Sequence, residues 1–357
     1  MKACVLTAAG GPATIAVADV PSPPAPGPGQ VRVAIRAGAL NHLDLWVTRG
    51  LPGVEHRYPH VLGGDGAGIV EAVGRGVTHV TPGDAVLFNP GISCYACEFC
   101  RRGEHGMCVI YRLLGEHLSG TLAELVLVPA ANVLPVPTLD PPLSWAEAAA
   151  FSLVTLTAWR MVVTRARLQS GETLLAWGVG GGVSLTAMRI AKLRGARTVV
   201  TSSSDEKLAA ARALGADVTI NHRTHKVAAE IRALTAKRGV DVVIENVGEA
   251  TWEESLRCLA KGGRLVTCGA TSGPRVSMDI RRLFWNQYTI MGSTMGNAEE
   301  YAEIVRVLGT GALRPIVDGV YPLAEARAAF ERMERGEQMG KIVVSMTEDG
   351  AQVAARS

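Results

Sequence analysis

The sequence predicts an α/β protein of two domains, one rich in β-strands and one built on a doubly wound parallel sheet. Its 357 residues exceed what one ordinary hydrophobic core accommodates. Up to about Leu143, short segments alternate apolar and polar residues, as half-buried strands do. Beyond Leu143, short apolar runs alternate with helical segments, which is typical of βαβ units and a parallel sheet.

Individual elements follow from these patterns. A strand is predicted at Gln30–Ala39, where Val31, Val33 and Ile35 recur at every second position. In the second part, strands are predicted at 173–177, 198–201, 240–245, 264–268 and 289–292. Helices are predicted between them at 185–193, 207–214, 228–235 and 252–260. A final strand is predicted at Lys341–Ser345, and the tail is expected to rejoin the first domain.

Composition and charge exclude several classes of protein. Hydrophobic residues make up 48% of the chain and charged residues 19%, which is a globular rather than a disordered composition. The net charge is +3 and the basic residues form no stripe, so no nucleic-acid partner is expected. No apolar run reaches the roughly 20 residues of a membrane span. The apolar patch after Lys2 ends at Gly10, too early for a secretory signal, so we expect a cytoplasmic protein without membrane contact.

Four of the seven cysteines form the pattern C-x2-C-x2-C-x7-C, at Cys94, Cys97, Cys100 and Cys108. Closely spaced cysteines can surround one tetrahedral ion, and four thiolates leave zinc no open position, so the pattern predicts one structural Zn²⁺. Disulfides are the first alternative and suit an oxidising compartment rather than the cytoplasm. An iron–sulfur cluster is the second alternative, although it more often has proline after the last cysteine, where this chain has Val109.

A glycine-rich turn follows the first predicted strand of the second domain. It begins at Gly178 and continues through Gly180, Gly181, Gly182 and Val183 into a predicted helix. Such a turn lets backbone N–H groups approach a pyrophosphate at a helix N-terminus. The strict G-x-G-x-x-G spacing is not met, because residue 184 is serine where the last glycine would stand. A plain strand–helix turn is the alternative interpretation.

The residues after the second strand of this domain predict the nucleotide. A chain that binds NAD usually places Asp or Glu there, about 20 residues after the turn. Residues 201–204 are instead Thr-Ser-Ser-Ser, and Lys207 follows closely. Hydroxyl groups and a cation suit a 2′-phosphate, so NADPH is predicted. Asp205 is the main objection, and its expected role is the N-cap of the following helix.

Together these motifs resemble the medium-chain dehydrogenase/reductase superfamily. The resemblance extends over nearly the whole chain, through residues 38–44, 62–68, the cysteine lobe, the glycine turn, 268–269 and 340–342. It implies a GroES-like catalytic domain, a Rossmann domain and an active site in the cleft between them. The expected boundaries are 1–148 for the catalytic domain with its zinc lobe at about 91–112, 149–297 for the Rossmann domain, and 298–357 for the returning segment.

The resemblance breaks at the catalytic zinc. Zinc alcohol dehydrogenases of this superfamily bind it with a Cys, a His-Glu pair and one further Cys or acid. Asn41 stands at the first of these positions, Gly64 and Asp65 at the pair, and Leu153 at the last. One carboxylate cannot hold a catalytic zinc, which needs about three protein ligands. The sequence is more similar to the quinone oxidoreductase and ene-reductase branch, although most members of that branch lack the cysteine lobe.

This resemblance implies roles in hydride transfer that need no metal. Asn41, with His42, is predicted to orient the cofactor or substrate beside the nicotinamide. Trp46 is predicted to line the pocket, with a place in the apolar core as the alternative. Asp65 is interpreted as a remnant carboxylate that forms a salt bridge nearby, and Asp44 as a scaffold carboxylate.

The resemblance also implies a set of cofactor contacts. They are Gly180, Gly181, Gly182 and Val183 at the pyrophosphate, Ser203, Lys207 and His222 around the 2′-phosphate, Asn246, Cys268, Gly269 and Ser293 along the nicotinamide half, and Lys341 near the cofactor or cleft.

Three functions remain open at this level. The first is NADPH-dependent reduction of an activated C=C bond or a quinone, with a small-molecule substrate. The second is a carbonyl reductase or alcohol dehydrogenase, and the third is a catalytically silent NADPH-binding protein. A homodimer or homotetramer is expected from the resemblance, with 288–292 as one pairing strand.

Overall fold

Strands dominate the first 135 residues of the computed structural model, which describes residues 1–347 and Val353. The strands are β1 (Lys2–Leu6), β2 (Ile15–Asp19), β3 (Gln30–Ala39), β4 (His60–Val61), β5 (Asp65–Val73), β6 (Ala85–Phe88), β7 (Gly91–Ile92), β8 (Arg112–Leu113), β9 (Leu125–Pro129) and β10 (Val133–Pro135). The helices are α1 (His42–Arg49), α2 (Glu98–Arg101), α3 (Trp145–Ala149) and α4 (Ser152–Trp159), and a π-helical turn, Arg160–Arg165, follows.

Strands and helices alternate in the next segment. They are β11 (Thr173–Ala176), α5 (Gly182–Leu193), β12 (Arg197–Ser202), α6 (Asp205–Ala213), β13 (Val218–Asn221), α7 (Val227–Leu234), β14 (Val240–Glu245), α8 (Trp252–Cys258), β15 (Leu259–Thr267), α9 (Ile280–Trp285) and β16 (Thr289–Gly292). The chain continues with α10 (Ala298–Leu308), β17 (Val317–Pro322), α11 (Ala326–Glu334) and β18 (Lys341–Ser345).

The chain divides into two compact units. The first unit comprises Met1–Val154 together with the described residues from Gly296 onward, and the second unit is Thr155–Met295. No helix in the described part of the chain is both long and apolar enough to span a membrane.

The second unit contains a six-stranded parallel sheet in the order β13-β12-β11-β14-β15-β16. This is the doubly wound order of a Rossmann fold, so the predicted fold class is confirmed. The central strands are apolar on both faces, as in β14, where Val242, Val243 and Ile244 are fully buried. The edge strand β13 was not predicted, because it has only four residues and two of them are polar.

The first unit is built on a sheet in the order β10-β6-β5-β3-β18-β17, with β9 also paired to β3. Its strand β18 comes from the end of the chain and pairs antiparallel with β3, opposite Ala39 and Gly38. The tail therefore rejoins the β-rich unit, as expected. This pairing carries Lys341 to the end of β3, next to the start of α1.

Candidate functional site

The four lobe cysteines converge in the first unit. Their sulfur atoms all lie within 4.8 Å of one another, and the Sγ atoms of Cys94 and Cys100 are 3.9 Å apart. Zinc–sulfur bonds of about 2.3 Å in a tetrahedron place ligand sulfurs about 3.8 Å apart. These four residues therefore fit a structural zinc ion. No other group of three or more Cys, His, Asp or Glu in the described residues has this arrangement.

Backbone N–H groups support the thiolate form of Cys94, Cys97 and Cys108, whereas burial raises the pKa of Cys100 to about 12. The amides of Ala96 and Cys97 donate to Cys94 Sγ at 3.4 and 3.3 Å, and the Cys94 amide donates to Cys108 Sγ at 3.3 Å. The backbone amides of Cys100 and Val109 lower the pKa of Cys97 to about 6. Zinc binds the thiolate rather than the thiol, so these donors favour metal binding.

A buried polar cluster lies at the junction of β3, α1, β5 and β18. It consists of Asn41, Asp44, Asp65 and Lys341, each at most 6% exposed, and is called the Asn41 cluster below. The Lys341 ammonium donates to Leu40 O at 2.6 Å, Asn41 Oδ1 at 2.5 Å and Asp65 Oδ2 at 3.0 Å. All three ammonium donors are thus used, as a buried charge requires.

Both polar atoms of the Asn41 side-chain amide also have hydrogen-bond partners. Its Nδ2 donates to Asp65 Oδ2 at 3.1 Å and to Ala39 O at 3.4 Å, while Oδ1 accepts from Lys341. In this conformation Asn41 offers a ligand its carbonyl oxygen and no N–H donor. This limits the predicted role of Asn41 to orienting a donor group.

Burial sets the charge state of Asp44. The Asn41 backbone N–H donates to Asp44 Oδ2 at 2.7 Å, at the start of α1. Burial and, to a smaller extent, nearby Asp65 raise the pKa of Asp44 to about 7, although Lys341 and backbone amides oppose the shift. Asp44 therefore titrates near neutral pH inside the cluster.

The residues that the resemblance assigns to the superfamily's catalytic zinc positions lie around Asp65. The Leu153 backbone N–H donates to Asp65 Oδ1 at 2.7 Å. A Cβ on Gly64 would lie 3.2 Å from Leu153 Cδ1, so the leucine side chain occupies the space beside Gly64. With an amide, a glycine and an alkyl chain at three positions, and an Asp65 carboxylate bound to Lys341, these residues do not fit a zinc ion.

His42 and Trp46 lie on α1 beside this cluster. His42 is an exposed residue that begins α1, and its ring packs edge-on against Trp46 with centroids 5.2 Å apart. Partial burial of the ring and, to a smaller extent, the charge of Arg49 lower the pKa of His42. The lowered pKa favours the neutral ring, which has one N–H donor.

The glycine turn in the second unit joins β11 to α5. Gly178 has φ +66°, a left-handed conformation that favours glycine, and Gly181 is the N-cap of α5. The Gly178 amide donates to Thr201 Oγ1 at 3.2 Å, and the Val179 amide donates to Thr201 O at 2.8 Å. These hydrogen bonds fix the turn to the end of β12, and the N-terminus of α5 directly follows the turn. This arrangement fits a dinucleotide pyrophosphate.

The predicted 2′-phosphate residues lie at the carboxyl ends of adjacent strands. Ser203 follows β12, and His222 follows β13 and donates its amide to Ser202 O at 3.1 Å. The N-cap of α6 is Ser204, whose side chain accepts from the Lys207 amide at 3.3 Å. The prediction that Asp205 caps this helix is wrong, because Ser204 takes the extended cap conformation and Asp205 begins the helix.

The predicted nicotinamide residues follow the next three strands, with Asn246 after β14, Cys268 and Gly269 after β15, and Ser293 after β16. The Cys268 amide donates to Glu245 O at 3.1 Å, and burial raises the pKa of its thiol to about 12. Asn246 Oδ1 and Ser293 Oγ are buried and have no hydrogen-bond partner among the described residues. Unpaired buried polar atoms are costly, so they suit a bound ligand.

Sequence reasoning missed Glu245 and Tyr301. The buried Glu245 carboxylate accepts from the amides of Val247 and Gly248 and from the hydroxyls of Thr251 and Ser255, at 2.6–3.1 Å. It thereby shapes the loop after β14, and a carboxylate at a buried strand end was the available signal. Tyr301 OH lies 3.0 Å from Ser152 Oγ, and nothing in the sequence pattern indicates this pair.

Comparisons with known proteins identify the family. The family model described as alcohol dehydrogenase GroES-like domain matches residues 27–138, and the model described as zinc-binding dehydrogenase matches residues 182–310. The chain is an oxidoreductase of the medium-chain dehydrogenase/reductase superfamily, similar to zinc-type alcohol dehydrogenases.

Relatives with different names have comparable similarity. A crotonyl-CoA reductase of Streptomyces avermitilis is 30% identical, covering 91% of this chain and 80% of the relative. An NAD-dependent alcohol dehydrogenase of Saccharolobus solfataricus is 32% identical, covering 96% and 99%. A crystal structure of an NAD-dependent alcohol dehydrogenase is 43% identical with a TM-score of 0.92, covering 97% of this chain and all of that one.

Proposed function

We propose that this protein transfers a hydride from NADPH to an activated C=C bond, as in an enone or enal, or to a quinone, without a catalytic zinc. The observation that carries the proposal is the set of residues at the zinc-ligand positions. Asn41, Gly64 and Leu153 supply neither thiolate nor imidazole there. The similarity to a crotonyl-CoA reductase supports reduction of a conjugated double bond.

The reduced nicotinamide, when bound, supplies the hydride. The turn at Gly180, Gly181 and Gly182 would hold the pyrophosphate at the N-terminus of α5. Asn246 and Ser293 would contact the nicotinamide half, which would satisfy their unpaired oxygens.

Hydride addition to the β-carbon of an enone moves negative charge onto its carbonyl oxygen, and that oxygen needs a hydrogen-bond donor. The N–H groups of Asn41 are already bonded to Asp65 and Ala39. The His42 ring, which has an N–H donor whether neutral or protonated, is the better donor for this oxygen. The proton that completes the reduction at the α-carbon then comes from water.

The preference for NADPH rests on the end of β12. Ser203 would stand beside the 2′-phosphate, and no carboxylate among residues 201–204 would repel it. Lys207 and His222 would add positive or hydrogen-bonding contacts. The carboxylate of Asp205 accepts from Asn221 Nδ2 at 2.8 Å, which directs it toward β13.

Alcohol dehydrogenase or carbonyl reductase activity is the second candidate. The 43% identical structure of an NAD-dependent alcohol dehydrogenase favours it. Oxidation of an unactivated alcohol needs a group that lowers the hydroxyl pKa, a role usually filled by a metal. The residues around Asp65 make this candidate weaker.

We also propose one structural Zn²⁺ in the cysteine lobe and self-association through the outer edge of the second unit. Strand β16 ends the parallel sheet, and the neighbouring helix α9 exposes Ile280, Phe284 and Trp285 by 61–75%. Large exposed apolar patches mark interaction sites. A second copy of this chain is the proposed partner, because two identical edge strands can pair about a two-fold axis.

Oxidation of NADPH and NADH with an enone, a quinone, an aldehyde and an enoyl thioester tests the proposed activity. We expect NADPH oxidation with the enone, quinone or thioester, unchanged by a chelator that spares the cysteine lobe. Turnover of alcohols or aldehydes alone, lost on chelation and restored by zinc, would overturn the proposal. Tight NADPH binding without any turnover would indicate the catalytically silent protein.

A further inference from the structure

The serine that departs from the glycine motif has a defined hydrogen-bond environment. Ser184 lies in the first turn of α5 and is fully buried. Its hydroxyl donates to the backbone carbonyl oxygen of Trp177, at the end of β11. Its oxygen accepts from Asn246 Nδ2 at 3.2 Å. Where the motif has glycine for close helix–strand packing, this chain uses a hydroxyl to link the ends of β11 and β14.

These contacts determine how the Asn246 amide is oriented. A carbonyl oxygen can only accept, so the Ser184 hydroxyl hydrogen must point to Trp177 O. The Ser184 oxygen then faces Asn246 as an acceptor, and Asn246 must present its NH₂ group to it. The opposite amide orientation would bring two acceptors together. Asn246 Oδ1 is thereby turned away from Ser184, and it is the buried atom that has no partner among the described residues.

The position of Asn246, directly after β14, indicates which kind of ligand its Oδ1 atom can contact. Strands β11 and β14 are parallel neighbours, with Ala176 opposite Ile244. In the order β13-β12-β11-β14-β15-β16, they form the pair at which the winding direction of the sheet reverses. Ligands of such sheets bind outside the carboxyl ends of the strands at this point. Asn246 comes two residues after Ile244, on that edge.

We propose that Ser184 is a positioning residue that holds the Asn246 amide with its carbonyl oxygen ready to accept a hydrogen bond from the nicotinamide nucleoside of the cofactor. This inference rests on the proposed binding of a nicotinamide dinucleotide. A carbonyl oxygen repels the negatively charged pyrophosphate, so the partner of Asn246 Oδ1 is a neutral hydrogen-bond donor. The nicotinamide nucleoside has two such donors, a ribose hydroxyl and the carboxamide N–H.

Calorimetric titration with NADP⁺ tests the proposal, with Ser184→Ala, Asn246→Ala and the double variant. Asn246→Ala should weaken binding roughly 2- to 12-fold, the contribution of one hydrogen bond. Ser184→Ala should also weaken binding, because the amide can then rotate. In the double variant the Ser184 change should add nothing, since Ser184 acts through Asn246. The fragment 2′,5′-ADP, which lacks the nicotinamide nucleoside, should bind all four proteins equally, and this controls for misfolding.

The 3-acetylpyridine analogue of NADP⁺ distinguishes the two donors, because it keeps the ribose hydroxyls and lacks the carboxamide N–H. If Asn246→Ala does not weaken binding of the analogue, the carboxamide is the donor; an equal loss assigns the ribose. Wild-type affinity for NADP⁺ in Ser184→Ala, or additive effects in the double variant, would overturn this inference and leave the proposed function intact. Failure of the wild type to bind NADP⁺ or NAD⁺ would overturn both.

Discussion

The Lys341 ammonium is the positive charge that balances a buried Asp65 carboxylate. Removing one partner of a buried ion pair leaves the other charge unpaired, and this usually costs more than the pair contributes. We therefore expect Lys341→Met to lower the free energy of unfolding by about 3–5 kcal/mol. Adding Asp65→Asn should recover part of this loss. Denaturant unfolding of both variants checks the prediction, and equal stability of Lys341→Met and wild type would contradict the assigned pairing.

Asp44 makes the stability of the protein depend on pH. Because burial raises its pKa to about 7, the folded protein retains a proton that the unfolded chain releases near pH 4. The stabilisation of the folded protein by protonated Asp44 is fully present below about pH 4 and is lost as the pH rises toward 7. Asp44→Asn removes this titration. The variant should therefore gain stability relative to wild type between about pH 5 and pH 8, on the order of 2–3 kcal/mol.

Urea unfolding at several pH values measures this difference. A stability difference between Asp44→Asn and wild type that is constant over this range would show that Asp44 does not titrate there.

Among individual residues, the four zinc-site cysteines could be predicted from the sequence because they lie close together along the chain. The sequence did not predict the partners of Lys341, since Asp65 lies 276 residues away along the chain. Only the pairing of β18 with β3 brings them together. The N-cap of α6 was assigned one residue too late, because Ser204 and Asp205 are both good caps and the backbone conformation decides between them.

At the scale of elements, the β12–α6 turn carries the preference for NADPH. Ser203→Asp places a carboxylate where the 2′-phosphate is expected, so the ratio of NADPH to NADH affinity should fall at least roughly tenfold. Ser170→Asp is the matched control, because Ser170 is exposed and precedes β11, at the amino ends of the strands, whereas Ser203 follows the carboxyl end of β12. Cofactor titrations measure both ratios, and an unchanged ratio in Ser203→Asp would contradict this assignment.

Elements with strong periodicity were predicted well. The bounds of β3, β14, β16 and β18 agree with the predicted strands, because these strands have a clear apolar pattern. Strand β15 begins five residues before its prediction, at Leu259, where glycines and a lysine interrupt the apolar run. The helices begin up to three residues earlier than predicted, since their first turns contain capping and polar residues rather than the apolar stripe.

At the scale of the whole molecule, the patch on α9 predicts self-association. Trp285→Glu places a charge on this exposed apolar surface and should shift the protein toward the monomer. Leu193→Glu is the matched control, because Leu193 is also an exposed apolar residue but ends α5. Sedimentation velocity measures the distribution of species. A wild-type monomer, or an equal effect of both substitutions, would contradict the proposed interface.

For the molecule as a whole, we propose that the cysteine lobe binds zinc and that the position beside Asp65 does not. The lobe has four cysteines whose geometry fits zinc, whereas Asn41, Gly64 and Leu153 stand at the positions that the resemblance assigns to catalytic zinc ligands beside Asp65. A superfamily member of this kind can keep the stabilising metal and carry out hydride transfer without a Lewis acid.

Zinc content per chain, measured by elemental analysis of dialysed wild type and of Cys97→Ser, distinguishes the two metal positions. We expect about one zinc ion per wild-type chain and almost none in Cys97→Ser, since the substitution removes one of four ligands. About two zinc ions per wild-type chain, with one retained in Cys97→Ser, would contradict this proposal and make alcohol dehydrogenase the leading function.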